Sequence, residues 1–470
     1  MEHRQVIAYQ KDLFIEQNKN AICQSDNCKD VHQAKAGQAG QINKEGRQGR
    51  ALTEELMTIV CSSQNLKQAY KQVKRNKGVA GIDHMPTGKF ADWFVTEGES
   101  LIRDLLQGDY QPQGVKQVEI PKPKGGMRKL GIPTVRDRII QQAIAQVLSP
   151  IYEREFSGYS YGYRPGRNAQ QALQQASAYV TGGREVVVDM DMKSFFDEVN
   201  HDRLMFELST RVGDKVLLRL IRKYLQSGIL QGGLISQRTK GTPQGSPLSP
   251  LLSNIVLDEL DKELEKRGHC FVRYADDFSI YVRSQKAGER VKESISAFIT
   301  NKLKLKVNEE KSVVCEVDKT VLLGHTILRS GDLVIAKENV ERFKNSIRKI
   351  TKRNRGVSFE QVISELNPKL RGWFEYYKHT KSKGLFRDLD AWIRRKLRCF
   401  RIKQTKRAIG LVRFLRKQGI ETYQSWIIAL SGVGWWRKSA APQIHQAMNN
   451  PWFRGQNLFN LSFYYEKLKY

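Results

Sequence analysis

The chain has 470 residues, 40% of them hydrophobic, and a formal net charge of +30. That length is too great for one simple core and sufficient for two or three. A surplus of this size repels itself, so it points to a polyanionic partner, and nucleic acid fits best because many phosphate contacts release counterions. An acidic membrane ranks lower: there is no run of 18 apolar residues and no one-sided basic amphipathic helix at either end. The first residues, Met1-Glu2-His3-Arg4-Gln5, lack an apolar stretch and do not read as a signal peptide. Four of the six cysteines are isolated in regular segments, which suits a reducing compartment such as the cytoplasm, without a disulfide framework. Only Cys23 and Cys28, with His32 beyond, are clustered. A zinc site would need a fourth ligand that the sequence does not offer, so two ordinary thiols in a loose tail is the better reading.

Residues 1–50 are rich in Gln, Asn, Lys and Gly and read as a flexible leader. Apolar spacing through Leu56, Ile59 and Val60 predicts a first helix, and Asn65 to Val73 a second, broken at Gly78 and Gly81. Val118 to Pro121 and Met127 to Ile132 read as two strands around a Lys-Pro-Lys-Gly-Gly turn, and Ile139 to Leu148 as a helix. Glu185 to Asp191 is a β-rich apolar run that ends in carboxylates. The turn-dense loop Gly241 to Pro247 leads into a helix with Ser249 as N-cap and Pro250 at its first position. Leu252, Val256, Leu260 and Leu264 share its buried face, and Gly268 ends it. Phe271 to Tyr274 and Phe278 to Val282 read as strands joined by a short acidic turn, with further β segments at Lys304–Val307 and Val321–Ile327. Residues 338–430 read as helical. Between Glu341 and Ile420 there are 24 Lys and Arg against 6 Asp and Glu. A solvated helix face mixes signs, so this imbalance indicates a nucleic-acid surface.

Asp191 at a strand end and Asp276-Asp277 in a hairpin turn need a physical reason, because an unpaired buried charge is costly. Three carboxylates can hold two Mg²⁺ ions, which keep ligand positions open for phosphates. The bland alternative is that Asp simply favours turns. On the Tyr274-Ala275-Asp276-Asp277 tetrad alone, the two readings are evenly matched.

The order of motifs breaks the tie. Asp191-Met192-Lys193-Ser194-Phe195-Phe196-Asp197, Gly241-Thr242-Pro243-Gln244-Gly245-Ser246-Pro247, Tyr274 to Asp277, Leu305 to Lys311 and Leu322-Leu323-Gly324-His325 together resemble the palm of a reverse transcriptase. Asn76 to Asp83, Arg128 to Thr134 and Ser160 to Arg167 resemble the fingers of group II intron-encoded reverse transcriptases. Leu366 to Trp373 resembles their maturase segment. The compact bacterial class C members are the nearest in character. The resemblance implies an α+β right-hand polymerase, with fingers and palm over 51–335, an α-helical basic thumb over 336–418 and a small basic tail over 419–470.

Residue by residue, the resemblance implies metal ligation by Asp191, Asp276, Asp277 and the Met192 carbonyl, with Asp189 as a near neighbour. It implies that Phe196 screens the sugar 2′ position, that Lys122 and Arg128 hold the triphosphate, and that Gln244 packs beside the nascent base pair. Lys311 matches a lysine that protonates the leaving pyrophosphate. Lys77, Arg164, Arg167, Arg371, Tyr376, Lys396, Arg398 and Arg401 would contact RNA, and Trp435, Trp436 and Arg437 DNA. Of the aromatic and basic residues Tyr376, Tyr377, Trp392, Lys396, Arg398 and Arg401, several must instead be thumb core, particularly Trp392 with Ile393 and Leu397 at helical spacing. The implied partners are group II intron RNA, template RNA with primer DNA, target DNA and deoxynucleoside triphosphates. No His-Asn-His endonuclease block follows residue 440. Two rivals stand beside this reading: an RNA-binding splicing cofactor with little polymerase activity, and a domesticated reverse transcriptase used in defence or repair.

Overall fold

The computed structural model describes residues 53–121, 127–231, 234–236, 238–243 and 245–468. The chain divides into two compact units: Met1–Ala176 with Val186–Cys315, and Ser177–Glu185 with Glu316–Tyr470.

The first unit opens with helices α1 (Leu56–Val60), α2 (Ser63–Arg75) and α3 (Phe90–Gln107). Strands β1 (Val115–Pro121) and β2 (Met127–Ile132) form an antiparallel hairpin, followed by α4 (Val135–Glu153) and α5 (Ala169–Thr181), whose residues from Ser177 on belong to the second unit. Next come β3 (Val186–Met190), the short α6 (Phe195–Glu198), α7 (His201–Ser209) and α8 (Lys215–Gln226). Strands β4 (Ile229–Gln231) and β5 (Leu234–Ser236) complete a sheet of order β2-β1-β4-β5. Helix α9 (Ser249–Lys266), β6 (Cys270–Tyr274), β7 (Asp277–Val282), α10 (Gln285–Asn301) and β8 (Val313–Glu316) follow. The second sheet has the order β6-β7-β3-β8. One face of its central strands, with Val186, Val188, Met190, Phe278, Ile280 and Val282, packs into the core, while the other carries Val187, Tyr281 and the polar pair Asp189–Ser279. One apolar core runs from Leu56 to Leu305, and Leu252, Val256, Leu260 and Leu264 of α9 all lie in it.

Two local expectations change. Helix α9 begins at Ser249 itself, with Leu248 in the cap position and no side-chain cap. The Ser249 hydroxyl donates instead to the Pro243 carbonyl (2.8 Å), so the residue ties down the preceding turn. Lys304–Val307 is not a strand. It contributes an isolated bridge, Met192 with Val307, and a bond from Lys193 N–H to the Lys306 carbonyl (2.8 Å).

In the second unit, β9 (His325–Ile327) and β10 (Leu333–Ile335) form a small hairpin; the rest is helical. The longest helices are α11 (Lys337–Ile350), α12 (Phe359–Tyr377) and α13 (Lys383–Gln404), followed by α14 (Ala408–Lys417), α15 (Thr422–Leu430), α16 (Trp435–Lys438), α17 (Pro442–Ala447), α18 (Asn450–Gly455) and α19 (Leu461–Lys467). A single core spans Ile335 to Tyr465. The residues expected to form a separate tail therefore share the thumb's core: Met448, Phe453, Leu461 and Tyr465 are buried with Leu366, Phe374 and Phe386. Asp390 fastens this end by accepting bonds from the Leu461 and Ser462 N–H groups, at 3.0 and 2.8 Å. Among the described residues no helix is long and apolar enough to cross a membrane.

Candidate active site

The acidic residues meet because two adjacent strands end together. β3 pairs with β7 in the register Asp189 with Ser279 and Met190 with Phe278, which brings the residue after β3, Asp191, to the end of β7 where Asp277 begins. β6 pairs with β7 so that Tyr274 faces Asp277, leaving Ala275-Asp276 as a two-residue hairpin loop. Ala275 takes φ +62°, the left-handed value such a turn demands and one that a non-glycine residue adopts at a cost.

Asp191 is held from the other side by residues 308–312. The Asn308 amide donates to an Asp191 carboxylate oxygen (2.8 Å), the Asn308 N–H to its carbonyl (2.8 Å), and the Asp191 N–H to the Ser312 hydroxyl (3.1 Å). The Lys311 ammonium lies 3.4 Å from the same carboxylate oxygen that Asn308 contacts. Asp189 accepts from the Ser279 hydroxyl (3.1 Å), and burial pushes its carboxyl upward.

Crowding has a clear electrostatic consequence. Burial, then Asp276, Asp191 and Asp189, push the Asp277 carboxyl up to about 6, with Lys311 opposing. Asp277 nevertheless keeps an exposed face where a ligand could reach it. Among the described residues no three His, Cys, Asp or Glu side chains are arranged so that they could hold a metal ion as they stand. The donor set is all oxygen, and a divalent cation would relieve the repulsion that lifts Asp277. By donor chemistry, though not yet as a gathered set, Asp191, Asp276 and Asp277 suit a hard divalent ion.

Phe195 and Phe196 are both buried on α6, with rings 5.3 Å apart. Phe196 lines a cavity of about 440 Å³ together with Leu130, Arg138, Tyr163, Ser246 and Pro247. Its position is set by the Gly-rich loop: the Thr242 N–H donates to the Phe196 carbonyl (2.6 Å) and the Gly241 N–H to that of Val199 (2.7 Å). Gly241 is at φ +86°, and a Cβ there would lie 2.8 Å from the Phe196 and Asp197 carbonyl oxygens. Only glycine allows this approach. Lys122 and Gln244 lie outside the described residues, as does the Cys23–Cys28 pair; Arg128 is described by its backbone, paired with Ile120.

Residues 120–327 match the family model Reverse transcriptase (RNA-dependent DNA polymerase), and residues 340–419 match Group II intron, maturase-specific domain. The chain is 31% identical over 317 residues to Protein YkfC of Escherichia coli (strain K12), covering 59% of this chain and 83% of that one. It is 32% identical over 336 residues to Group II intron-encoded protein LtrA of Lactococcus lactis subsp. cremoris (56% of this chain, 55% of that one). To Putative COX1/OXI3 intron 1 protein of Saccharomyces cerevisiae it is 26% identical over 339 residues, 59% of this chain and 40% of that one. The chain belongs to the group II intron-encoded reverse transcriptase family. It carries both the reverse transcriptase domain and the maturase domain, while spanning about half the length of the lactococcal relative.

Within that family frame, the basic residues expected to touch RNA fall into two groups. Lys77 is exposed at a left-handed turn position, and Arg371 is exposed beside the Phe459 ring. Arg167 is half-buried near Tyr161, and Arg401 packs over Phe414 at 4.8 Å. Tyr376 is half-buried, donates to the Leu323 carbonyl (2.9 Å), and lines a hollow of about 480 Å³ with Arg342, Lys369 and Trp373.

Arg164 and Arg398 are corrections. Arg164 is buried and grips Glu153 with Nε and Nη2 (3.0 and 2.8 Å), while Nη1 donates to the Ser157 and Ser160 carbonyls. Arg398 is buried too; its Nε donates to the Met448 carbonyl (3.0 Å) and its Nη1 lies 3.3 Å from His445 Nε2. Their guanidinium groups brace loops, which a sequence count of basic residues cannot distinguish from phosphate contact.

Lys396 and Trp436, expected to serve RNA and DNA separately, share one surface. The Lys396 ammonium is 4.8 Å from the Trp436 ring and 5.7 Å from Trp392, and the Arg395 guanidinium is 4.1 Å from Trp436. Burial and the neighbouring Arg348, Arg353 and Arg395 lower the Lys396 ammonium. Trp435 is half-buried beside Lys438, and Arg437 is exposed.

Sequence reasoning missed Asn308, Ser312 and Arg273. An arginine inside the apolar run Phe271-Val272-Arg273-Tyr274 was a legible signal, because a charge in a buried strand needs a partner.

Proposed function

We propose that this reverse transcriptase copies RNA into DNA with two Mg²⁺ ions held by Asp191, Asp276, Asp277 and the Met192 carbonyl, and that its basic helical unit binds group II intron RNA to assist splicing and mobility. The observation that carries the polymerase reading is the gathering of Asp191 and Asp277 at adjacent strand ends, close enough that the Asp191 charge helps to lift the Asp277 carboxyl. When bound, the ions would activate the primer 3′-hydroxyl and neutralise the triphosphate. The chain's own contribution is placement. Asn308 and Ser312 fix Asp191, the β6–β7 turn fixes Asp276 and Asp277, and Phe196, pinned by Thr242, closes the wall that would meet the sugar. The hydroxyl oxygen bonds to the α-phosphorus, pyrophosphate leaves, and the hydroxyl proton passes to solvent or a nearby base.

For the second role, the match of residues 340–419 to the maturase model and the aromatic–cation surface around Trp392, Lys396 and Trp436 suit structured RNA. Its place of work would be the cytoplasm, on intron RNA and target DNA. A splicing cofactor without polymerase activity is disfavoured because all three carboxylates are present. Primer extension on an RNA template, with Asp276→Ala as control, tests the reading. Absence of cDNA from the intact protein would overturn it.

A further inference from the structure

Arg273 is fully buried and, among the described residues, is the largest side chain so enclosed. It stands one residue before the Tyr274-Ala275-Asp276-Asp277 turn, in the apolar strand β6. All three of its guanidinium nitrogens have partners. Nε and Nη2 make a two-pronged bond to Asp261 of α9, at 2.7 and 2.6 Å, and Asp261 is itself fully buried. Nη1 donates both to the Asn254 side-chain oxygen, about two turns further back on α9, and to the Ala275 carbonyl, each at 2.9 Å. The fork thus ties the rigid helix α9 to the carbonyl of the one residue in the turn that is held at φ +62°.

A second segment closes on the same turn. The Tyr161 N–H donates to the Arg273 carbonyl (2.9 Å) and the Arg273 N–H to the Tyr159 carbonyl (3.0 Å), so residues 159–161 run beside β6 as a parallel bridge. The amide of Asn254, whose oxygen accepts from Arg273, donates to the Gly162 carbonyl (3.0 Å). Gly162 presses directly on the turn: a Cβ there would lie 2.1 Å from the Ala275 nitrogen. The turn is therefore held by its carbonyl, through Arg273, and buttressed at its nitrogen, by Gly162. Asn254 links both restraints.

A buried arginine–carboxylate pair is poor evidence for stability, since an apolar pair of similar shape often serves as well. What such a swap could not supply is the bond to the Ala275 carbonyl and the orientation of Asn254. We infer that Arg273, with Asp261 and Asn254, is a positioning device for the catalytic turn, setting where the Asp276 and Asp277 carboxylates stand. This rests on the assignment of those aspartates as metal ligands.

The test separates positioning from folding by removing the ion pair as a unit. The double variant Asp261→Leu with Arg273→Met leaves no lone buried charge. Three quantities are measured on the full-length protein: melting temperature, Mn²⁺ binding by electron paramagnetic resonance titration, and steady-state dTTP incorporation on poly(rA) with an oligo(dT) primer. A variant that melts within a few degrees of the parent is expected to bind Mn²⁺ several-fold more weakly and to lose at least about tenfold in kcat, with KM for dTTP changed by less than about threefold. A folded variant with parental Mn²⁺ binding and kcat overturns the inference. Should the double variant not fold, Gly162→Ala decides: it leaves the ion pair in place and pushes on the turn. The same weakening of Mn²⁺ binding with a kcat-dominated loss supports positioning, and parental behaviour refutes it. If the parent itself makes no cDNA, the polymerase reading fails, while the Mn²⁺ titration still reports on the turn.

Discussion

The two units solve different problems with charged residues. In the first, a few acids are crowded at one sheet end and held by bonds with little slack: Asn308 and Ser312 on Asp191, Arg273 on the neighbouring turn. In the second, positive charge is spread along α11 to α16 and alternates with rings: Arg348 near Trp392, Lys396 between Trp392 and Trp436, Arg395 over Trp436. Chemistry on one phosphorus atom requires fixed positions, so single changes should be severe. Grip on a long polyanion sums many modest contacts, so single changes should be mild and salt-dependent.

The steepest test of that contrast is Asp276→Ala. Loss of an electrostatic role worth several kcal/mol at the reacting phosphate should lower cDNA synthesis by about a thousandfold or more, measured by primer extension, while intron RNA affinity by filter binding stays within about twofold. Equal damage to both would mean that the two units do not divide labour in this way.

Double substitution Lys396→Ala with Trp436→Ala probes the other side. One stacking contact and one cation lost should weaken RNA binding by roughly ten- to a hundredfold and make the salt slope shallower by about one. Arg398→Met is the informative companion. Its guanidinium is spent on the Met448 carbonyl and His445, so melting temperature should fall while the salt slope of the folded fraction is unchanged. A slope that moved with Arg398 would return it to the RNA surface.

Phe196→Ala should raise ribonucleotide over deoxynucleotide incorporation by about tenfold or more, in the range that filling or emptying a side-chain-sized pocket provides. A ratio unchanged in single-nucleotide kinetics would leave Phe196 as core alone, like Phe195.

How much of this was legible in the sequence follows from the physics of each part. Strand ends bearing Asp191 and Asp277 were readable, because an apolar run that terminates in acids is costly unless something binds the charge. The shared surface of Lys396 and Trp436 was not, since residues 40 apart in sequence are joined only by how α16 packs against α13. The same holds for Arg164 and Arg398. Periodicity reports which face is apolar, yet it cannot say that a basic residue at a helix edge has found a carbonyl. The strand expected at Lys304–Val307 fails for a related reason. Its alternation of Lys with Leu and Val suited an edge strand, but its backbone, with that of Asn308, is used to hold Lys193 and Asp191 through single bonds.

The smallest expected effect also tests the crowding directly. Asp277 binds its proton more tightly in the folded protein, at about 6, than its ordinary value of 3.8. Between those values the folded state carries more protons than the unfolded one, so metal-free protein loses stability as pH rises from about 4 to about 6, and the loss is complete above that. Because Asp277 has an exposed face, the penalty is discounted to about 1 kcal/mol, or about 1–2 °C in the melting temperature of a unit of this size. Asp277→Asn should therefore melt about that much higher than the parent at pH 7.5 in EDTA, and no higher at pH 4. Adding Mn²⁺ at pH 7.5 should raise the parent's melting temperature and move the variant's far less. A variant that gained as much at pH 4 as at pH 7.5 would show that its benefit is packing, and that the four acids are not in conflict.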